Sequence, residues 1–259
     1  MDFNVPKEIL KKIKELDEFI EREIKPLEGK NLQFFDHRRE HARTDWENGG
    51  KPTKEWEALL QEMKKRADAA GHLRFALPKE IGGQNGSNLA MAMIREHFAH
   101  KGLGLHNDLQ NESSIVGNFP LVHMMWKFGT DAQKEEFLPA LITGSRRVGF
   151  GLTERNHGSD ATYMETTAVK SGGEWVINGN KRFNSGIHDA THDLVFARTS
   201  GVPGEGMGIT AFLVPVTNSG FNVEKMDWTF NMPTDHGSVA LNDVRMPEST
   251  ESHLGVEGD

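Results

Sequence analysis

A change of hydrophobic period near Gly144 constrains this chain more than any other feature. Before it, apolar residues recur at steps of three and four; after it, Val, Phe and Thr alternate with polar residues between glycines. The first pattern suits helices with one buried face, the second strands of a half-buried sheet. Ile9, Ile13, Leu16, Ile20, Ile24 and Leu27 mark a first helix, and Pro26 predicts its stop. Trp56, Leu59, Leu60, Met63 and Ala67 mark a second, opening near Thr53 and ending at Gly71. A third runs over 88–100 and closes on Gly102. Residues 111–128 carry a helical pattern broken at Pro120, which predicts two shorter pieces. Thr130 and Gln133 have the spacing of a capping box.

Beyond Gly144, EWVINGNKRF (174–183) reads as a hairpin with a primed turn at Asn178-Gly179. Residues 194–198, 208–215, 221–225 and 238–247 read as further strands. The expected class is α+β: an all-helical domain at 1–145, a β-barrel-like or paired-sheet domain at 146–247, and a linker at 248–259.

Composition removes several function classes. The formal charge of −8 argues against a nucleic-acid partner, because phosphate binding shows as a basic face. There is no cysteine, hence no disulfide, thiolate nucleophile or cysteine-ligated zinc, as is usual inside cells. No apolar run approaches the roughly 18 residues of a membrane span, and the first residues carry neither a signal-peptide core nor acid-poor transit composition. The expected location is intracellular, cytoplasmic before mitochondrial or peroxisomal.

Chemistry concentrates in GFGLTERNHGSD (149–160), where an alternating strand gives way to a dense run of hydrogen-bonding groups. An ordinary strand and surface loop would need fewer. Three histidine pairs (His37 and His41, His97 and His100, His188 and His192) have helical spacing but no third ligand at a recognisable distance, so no metal site is predicted. GVPGEGMG (201–208) lacks the Lys-Ser/Thr of a phosphate loop and reads as a strand connection. The mixed-sign run 36–47 reads as solvated. Glu154 is expected to orient its loop rather than act as a base, since nothing in the sequence brings it to a substrate proton.

The ordered set PKEIGG (78–83), FGLTERNHGSD (150–160) and WVINGNKRF (175–183), followed by ALNDVRMPEST and LGVEGD, resembles the acyl-CoA dehydrogenase family of flavoproteins over nearly the whole chain. KRFNSG and the His236-Gly237 region are similar to the branch acting on large or unusual acyl chains. The resemblance implies FAD as cofactor. Phe150, Leu152 and Thr153 would contact the flavin ring, with Gly158 and Ser159 at its phosphates and Ser159 also at the pantetheine arm of an acyl-CoA substrate. Phe183 stands where the family usually has Trp, and Ser185 for the usual Thr at the ring edge. Arg155 replaces the usual Pro after Thr-Glu, and NMPTDHGS (231–238) replaces a Gly-Arg-Ser turn.

The same resemblance implies that the catalytic residue is a glutamate in a C-terminal helical bundle, expected beyond Asp259 or on a partner chain carrying that domain; none is assigned within these residues. The implied reaction is α,β-desaturation of an acyl-CoA thioester, with electrons passed to an electron-transfer flavoprotein or another acceptor, in a homo-oligomer (dimer or tetramer). An acyl-CoA or nitroalkane-type oxidase and a non-catalytic subunit of a heteromeric complex are the alternatives.

Overall fold

The computed structural model describes residues 4–108, 113–229 and 232–258. Residues 111–112 of the expected helix, Asn231 of the 231–238 segment and Asp259 lie outside the described residues. Packing divides the chain into two units, residues 1–45 with 53–119 and residues 46–52 with 120–259.

In the first unit, helix α1 (Lys7–Phe19) passes through a π turn (Ile20–Ile24) into α2 (Lys25–Gly29). The predicted stop at Pro26 is therefore corrected. Pro26 falls in the first turn of α2, where its missing N–H is no loss. The widened turn takes the Lys25 N–H to the Ile20 carbonyl, so the helical path continues. Helix α3 (Arg39–Arg43) precedes α4 (Lys54–Ala69), which Thr53 caps by accepting from the Trp56 N–H. Gly71, at φ 74°, ends that run. Ser87 caps α5 (Asn88–His100), and Gly102 stands at φ 84° beyond it. Leu16, Phe19, Ile20 and Ile24 form one core with Leu60, Met63, Ile94 and Phe98. Each such side chain contributes about 1.5–3 kcal/mol of burial.

Two expectations fail here. Residues 113–119 are not helical: Ser113–Ser114 pairs with Asn107–Asp108, and the amides of Ile115 and Gly117 bond to the His106 and Leu73 carbonyls. The buried Ile115 and Val116 produced the apparent periodicity. The charge run is not solvated throughout, because Arg43 is buried. Its guanidinium lies 3.9 Å from the Trp56 ring centroid, donates to the Phe34 carbonyl at 2.7 Å and meets Asp108 at 2.6 Å.

In the second unit, α6 (Pro120–Phe128) opens on its proline, and α7 (Asp131–Thr143) carries the full Thr130/Gln133 capping box before Gly144 at φ 73°. Next come β1 (Val148–Gly151), β2 (Thr167–Ser171), β3 (Glu174–Ser185), β4 (His192–Arg198), β5 (Ile209–Pro215), β6 (Phe221–Thr229), β7 (Met232–Pro247) and β8 (His253–Leu254). They form one mixed sheet in the order β6-β7-β3-β2-β4-β5-β8, with β1 also paired to β4. Trp175, Ile177, Val195, Phe212, Val239, Leu241 and Val244 make its core.

The turn expected at Asn178-Gly179 is corrected. The reversal lies at Gly172-Gly173, at φ 65° and 83°, and β3 runs unbroken through Gly179. Asn178 instead clasps an irregularity in β7. Its Nδ2 donates to Asp243 Oδ1 at 3.0 Å, and its Oδ1 accepts the Asp243 N–H at 2.8 Å, with Asp243 at φ 52°.

Candidate functional site

Strand β1 pairs in parallel with β4, Val148 to Gly151 against His192 to Val195. Thr167, opening β2, pairs in parallel with Arg198 further along the same strand. On the other side, β2 pairs with β3, and the Arg182 N–H of β3 donates to the Thr153 carbonyl at 2.8 Å. Strands β1 and β2 thus fill one lane between β3 and β4, end to end. Residues 152–166 leave the sheet and return to it. This is why the strand halts at Thr153: the polar run is an excursion from the lane, not its end.

The neck of the excursion is pinned by charge. The buried Glu154 carboxylate accepts from Lys181 Nζ at 2.7 Å, the Glu165 N–H at 2.6 Å and the Thr166 N–H at 2.9 Å. Lys181 Nζ also donates to the Leu152 carbonyl at 3.3 Å. Burial pushes the Glu154 carboxyl up, but the Lys181 charge and these donors outweigh it and hold the group below its ordinary value. Burial pulls the Lys181 ammonium down, with Glu154 opposing. Beneath β1, Asn184 Nδ2 donates to Asp193 Oδ2, while Asp193 Oδ1 has no hydrogen-bond partner among the described residues. Burial pushes Asp193 up to about 7, against the Asn184 hydrogen bond and the Lys181 charge. Gly151 is required there, since an added Cβ would lie 2.9 Å from both Asn184 and Asp193.

The expected site residues take distinct places. Phe150 is half-buried on β1 and meets Phe196 edge-on at 5.3 Å. Leu152 and Thr153 are half-buried where the chain leaves the lane, and Gly158 and Ser159 are exposed on the excursion. Gly158 is not demanded by the chain itself, because its φ is not in the left-handed region and an added Cβ would meet only Thr153 Cγ2, at 3.7 Å.

Phe183 sits at a bulge. Asn184 pairs with Gly237 and Lys181 with Val239, so Arg182 and Phe183 together oppose Ser238. Phe183 has φ 60° and is 39% exposed, turned out of the sheet rather than into it. Asp227, almost fully buried on β6, accepts the Phe183 N–H at 3.3 Å and the Ser238 hydroxyl at 3.0 Å. The Arg182 guanidinium lies 4.6 Å from the Phe183 ring centroid. Ser185 Oγ lies 2.9 Å from His236 Nδ1. The sequence reading missed Asp227 and Lys181, whose roles depend on strand register that local spacing does not reveal.

These elements coincide with a known arrangement. Residues 6–145 match the model of the acyl-CoA dehydrogenase N-terminal domain, and residues 149–244 that of the acyl-CoA dehydrogenase middle domain. The chain belongs to the acyl-CoA dehydrogenase family. It is 32% identical over 196 residues to acyl-CoA dehydrogenase FadE12 of Mycobacterium tuberculosis, covering 76% of this chain and 48% of that protein. It is 30% identical to the caffeyl-CoA reductase-Etf complex subunit CarC of Acetobacterium woodii, covering 75% of this chain and 50% of that protein. A solved structure of a putative acyl-CoA dehydrogenase from Mycobacterium abscessus superposes with a TM-score of 0.75 at 28% identity, over 99% of this chain and 62% of that one. The chain therefore spans about half the length of the curated relatives it matches. Among the described residues no helix is long and apolar enough to cross a membrane, and no group of three or more acidic or histidine side chains could hold a metal.

Proposed function

We propose that this chain supplies the helical and flavin-binding parts of an FAD-dependent acyl-CoA dehydrogenase. The observation that carries the reading is the bulge that turns Phe183 outward beside the excursion, at the cost of a left-handed backbone. The residues fit the cofactor. Phe183 offers an exposed aromatic face, and Ser185 a hydroxyl on the same strand. Gly158 has a Cβ position that only something outside the chain would need clear. Thr153, Phe150 and Leu152 line the base of the excursion, and Gly158 and Ser159 stand on it where phosphates and a pantetheine arm would be received.

When bound, FAD supplies a two-electron acceptor for oxidation of the substrate at its α,β bond. This chain's residues hold and orient it. Glu154 is not the base that takes the substrate's α-proton, since its carboxylate is committed to Lys181 and two amides. We assign that role to a glutamate outside these residues, in the remaining part of the family architecture or on a partner chain. On this reading residues 1–145 are the helical domain, 146–247 the flavin-facing β domain and 248–259 the lead into the remainder, acting inside the cell. The likeness to a subunit of an Etf complex supports an electron-transferring flavoprotein as partner and a multi-subunit assembly. Caffeyl-CoA in that name, like acyl-CoA in the other, supports a CoA thioester as substrate.

The test is acyl-CoA-dependent reduction of an artificial electron acceptor by the protein expressed from its full coding sequence, with co-purifying subunits retained. The proposal expects turnover with the acceptor. Turnover that proceeds only by peroxide release to oxygen assigns an oxidase instead, and retained flavin with no turnover assigns a non-catalytic subunit.

A further inference from the structure

Ser185 and His236 lie directly opposite one another in the β3–β7 pairing, and their side chains meet at 2.9 Å. A hydroxyl has one hydrogen and two lone pairs, so the partner that claims the hydrogen decides what the group still offers. We propose that His236 is a positioning residue that sets the hydrogen-bonding polarity of the Ser185 hydroxyl. With Nδ1 unprotonated, the imidazole accepts the hydroxyl hydrogen, and Ser185 presents only oxygen lone pairs to its other neighbour. With Nδ1 protonated, the imidazole donates to Oγ, and the hydroxyl hydrogen turns outward.

The inference rests on the flavin reading, in which Ser185 stands at the ring edge. An oxidised flavin offers an acceptor nitrogen at that edge and a reduced one an N–H donor, so a hydroxyl locked as acceptor favours the reduced ring. Asp235 Oδ1, on the same strand, lies 3.6 Å from Nδ1. Among the described residues, ionisable groups on elements packed against this part of β7 include Lys181 and Arg182 on β3, Glu224, Lys225 and Asp227 on β6, Lys51 on the short strand Lys51–Pro52, and His188 and Asp189 in the turn Ile187–Asp189.

The experiment is a double-mutant cycle on the potential of the bound flavin, with the protein from its full coding sequence and its co-purifying subunits. Above the imidazole titration, His236→Leu should lower the potential when Ser185 is present and leave it unchanged in a Ser185→Ala background. Across that titration, wild type should show a step in the flavin's visible spectrum that Ser185→Ala and His236→Gln both lack. In flavin-free protein, the imidazole nitrogen shifts should report Nδ1 as the accepting nitrogen and should change on Ser185→Ala. An equal potential shift in both backgrounds, or shifts indifferent to Ser185→Ala, overturns the proposal while the flavin reading stands. A protein that retains no flavin overturns both.

Discussion

Phe183 holds a conformation that a bulky residue rarely adopts, and one buried carboxylate explains how. A left-handed φ of 60° costs on the order of 1–3 kcal/mol. Asp227 offsets part of that through the Phe183 N–H and is itself balanced by Ser238, with Arg182 and Lys225 within 3.6 and 3.7 Å. Asp227→Ala should therefore lower stability by about 2 kcal/mol in denaturant unfolding, because it leaves an amide and a hydroxyl without their acceptor. In a Phe183→Gly background, where the backbone is unstrained, the cost should fall. The same cost in both backgrounds would mean that Asp227 does not restrain the bulge.

At the scale of elements, the excursion 152–166 depends on its neck. Glu154→Gln removes the carboxylate ion-paired with the buried Lys181 ammonium and should cost about 3 kcal/mol. Hydrogen exchange at the Glu165 and Thr166 amides should accelerate with it, and Lys181→Met in the same chain should recover part of the loss. Unchanged exchange at those amides would show that the neck is held by something else. Much of this element was legible beforehand: the strand ending near Thr153, the polar run after it, and Glu154 as the residue that orients the loop. That the strand resumes in the same lane at Thr167 was not, because lane sharing is a pairing between distant residues. Asn178-Gly179 misled for a related reason. Its turn chemistry is genuine, but the Asn178 amide is engaged by Asp243 on the neighbouring strand, and the tertiary contact overrides the local preference. Pro26 misled because a π turn ahead of it resets the hydrogen-bond ladder, which apolar spacing alone does not announce. Helix boundaries built from adjacent residues, such as Thr53, Thr130 with Gln133, and Gly71, were readable because their chemistry is local.

For the whole molecule, one buried group in each unit should contribute to pH dependence in opposite directions. In the helical unit, His72 accepts from Lys12 at 3.0 Å and is pushed down to about 4 by burial, then by the Lys12 charge. Its folded value lies below the ordinary 6.5, so its contribution is complete above that pH and is lost as pH falls towards 4. In the β unit, Asp193 is raised from 3.8 to about 7. Its own contribution to stability is complete below 3.8 and is lost as pH rises towards 7, by about 4 kcal/mol. His72→Asn should flatten the acid-side loss and Asp193→Asn the neutral-side loss, each read from unfolding midpoints across that range. A wild-type profile that neither variant changes would contradict both assignments.

The central claim is that the excursion 152–166 and the outward Phe183 form one wall of a flavin site. Its most direct test is the flavin content of the protein from its full coding sequence, gel-filtered with its co-purifying subunits to remove free cofactor. The account predicts stoichiometric FAD in wild type, with retention sharply reduced by Phe183→Ala and by replacing Gly158 with Val. Wild-type protein that is folded and carries no flavin, or variants that retain it undiminished, would contradict the account.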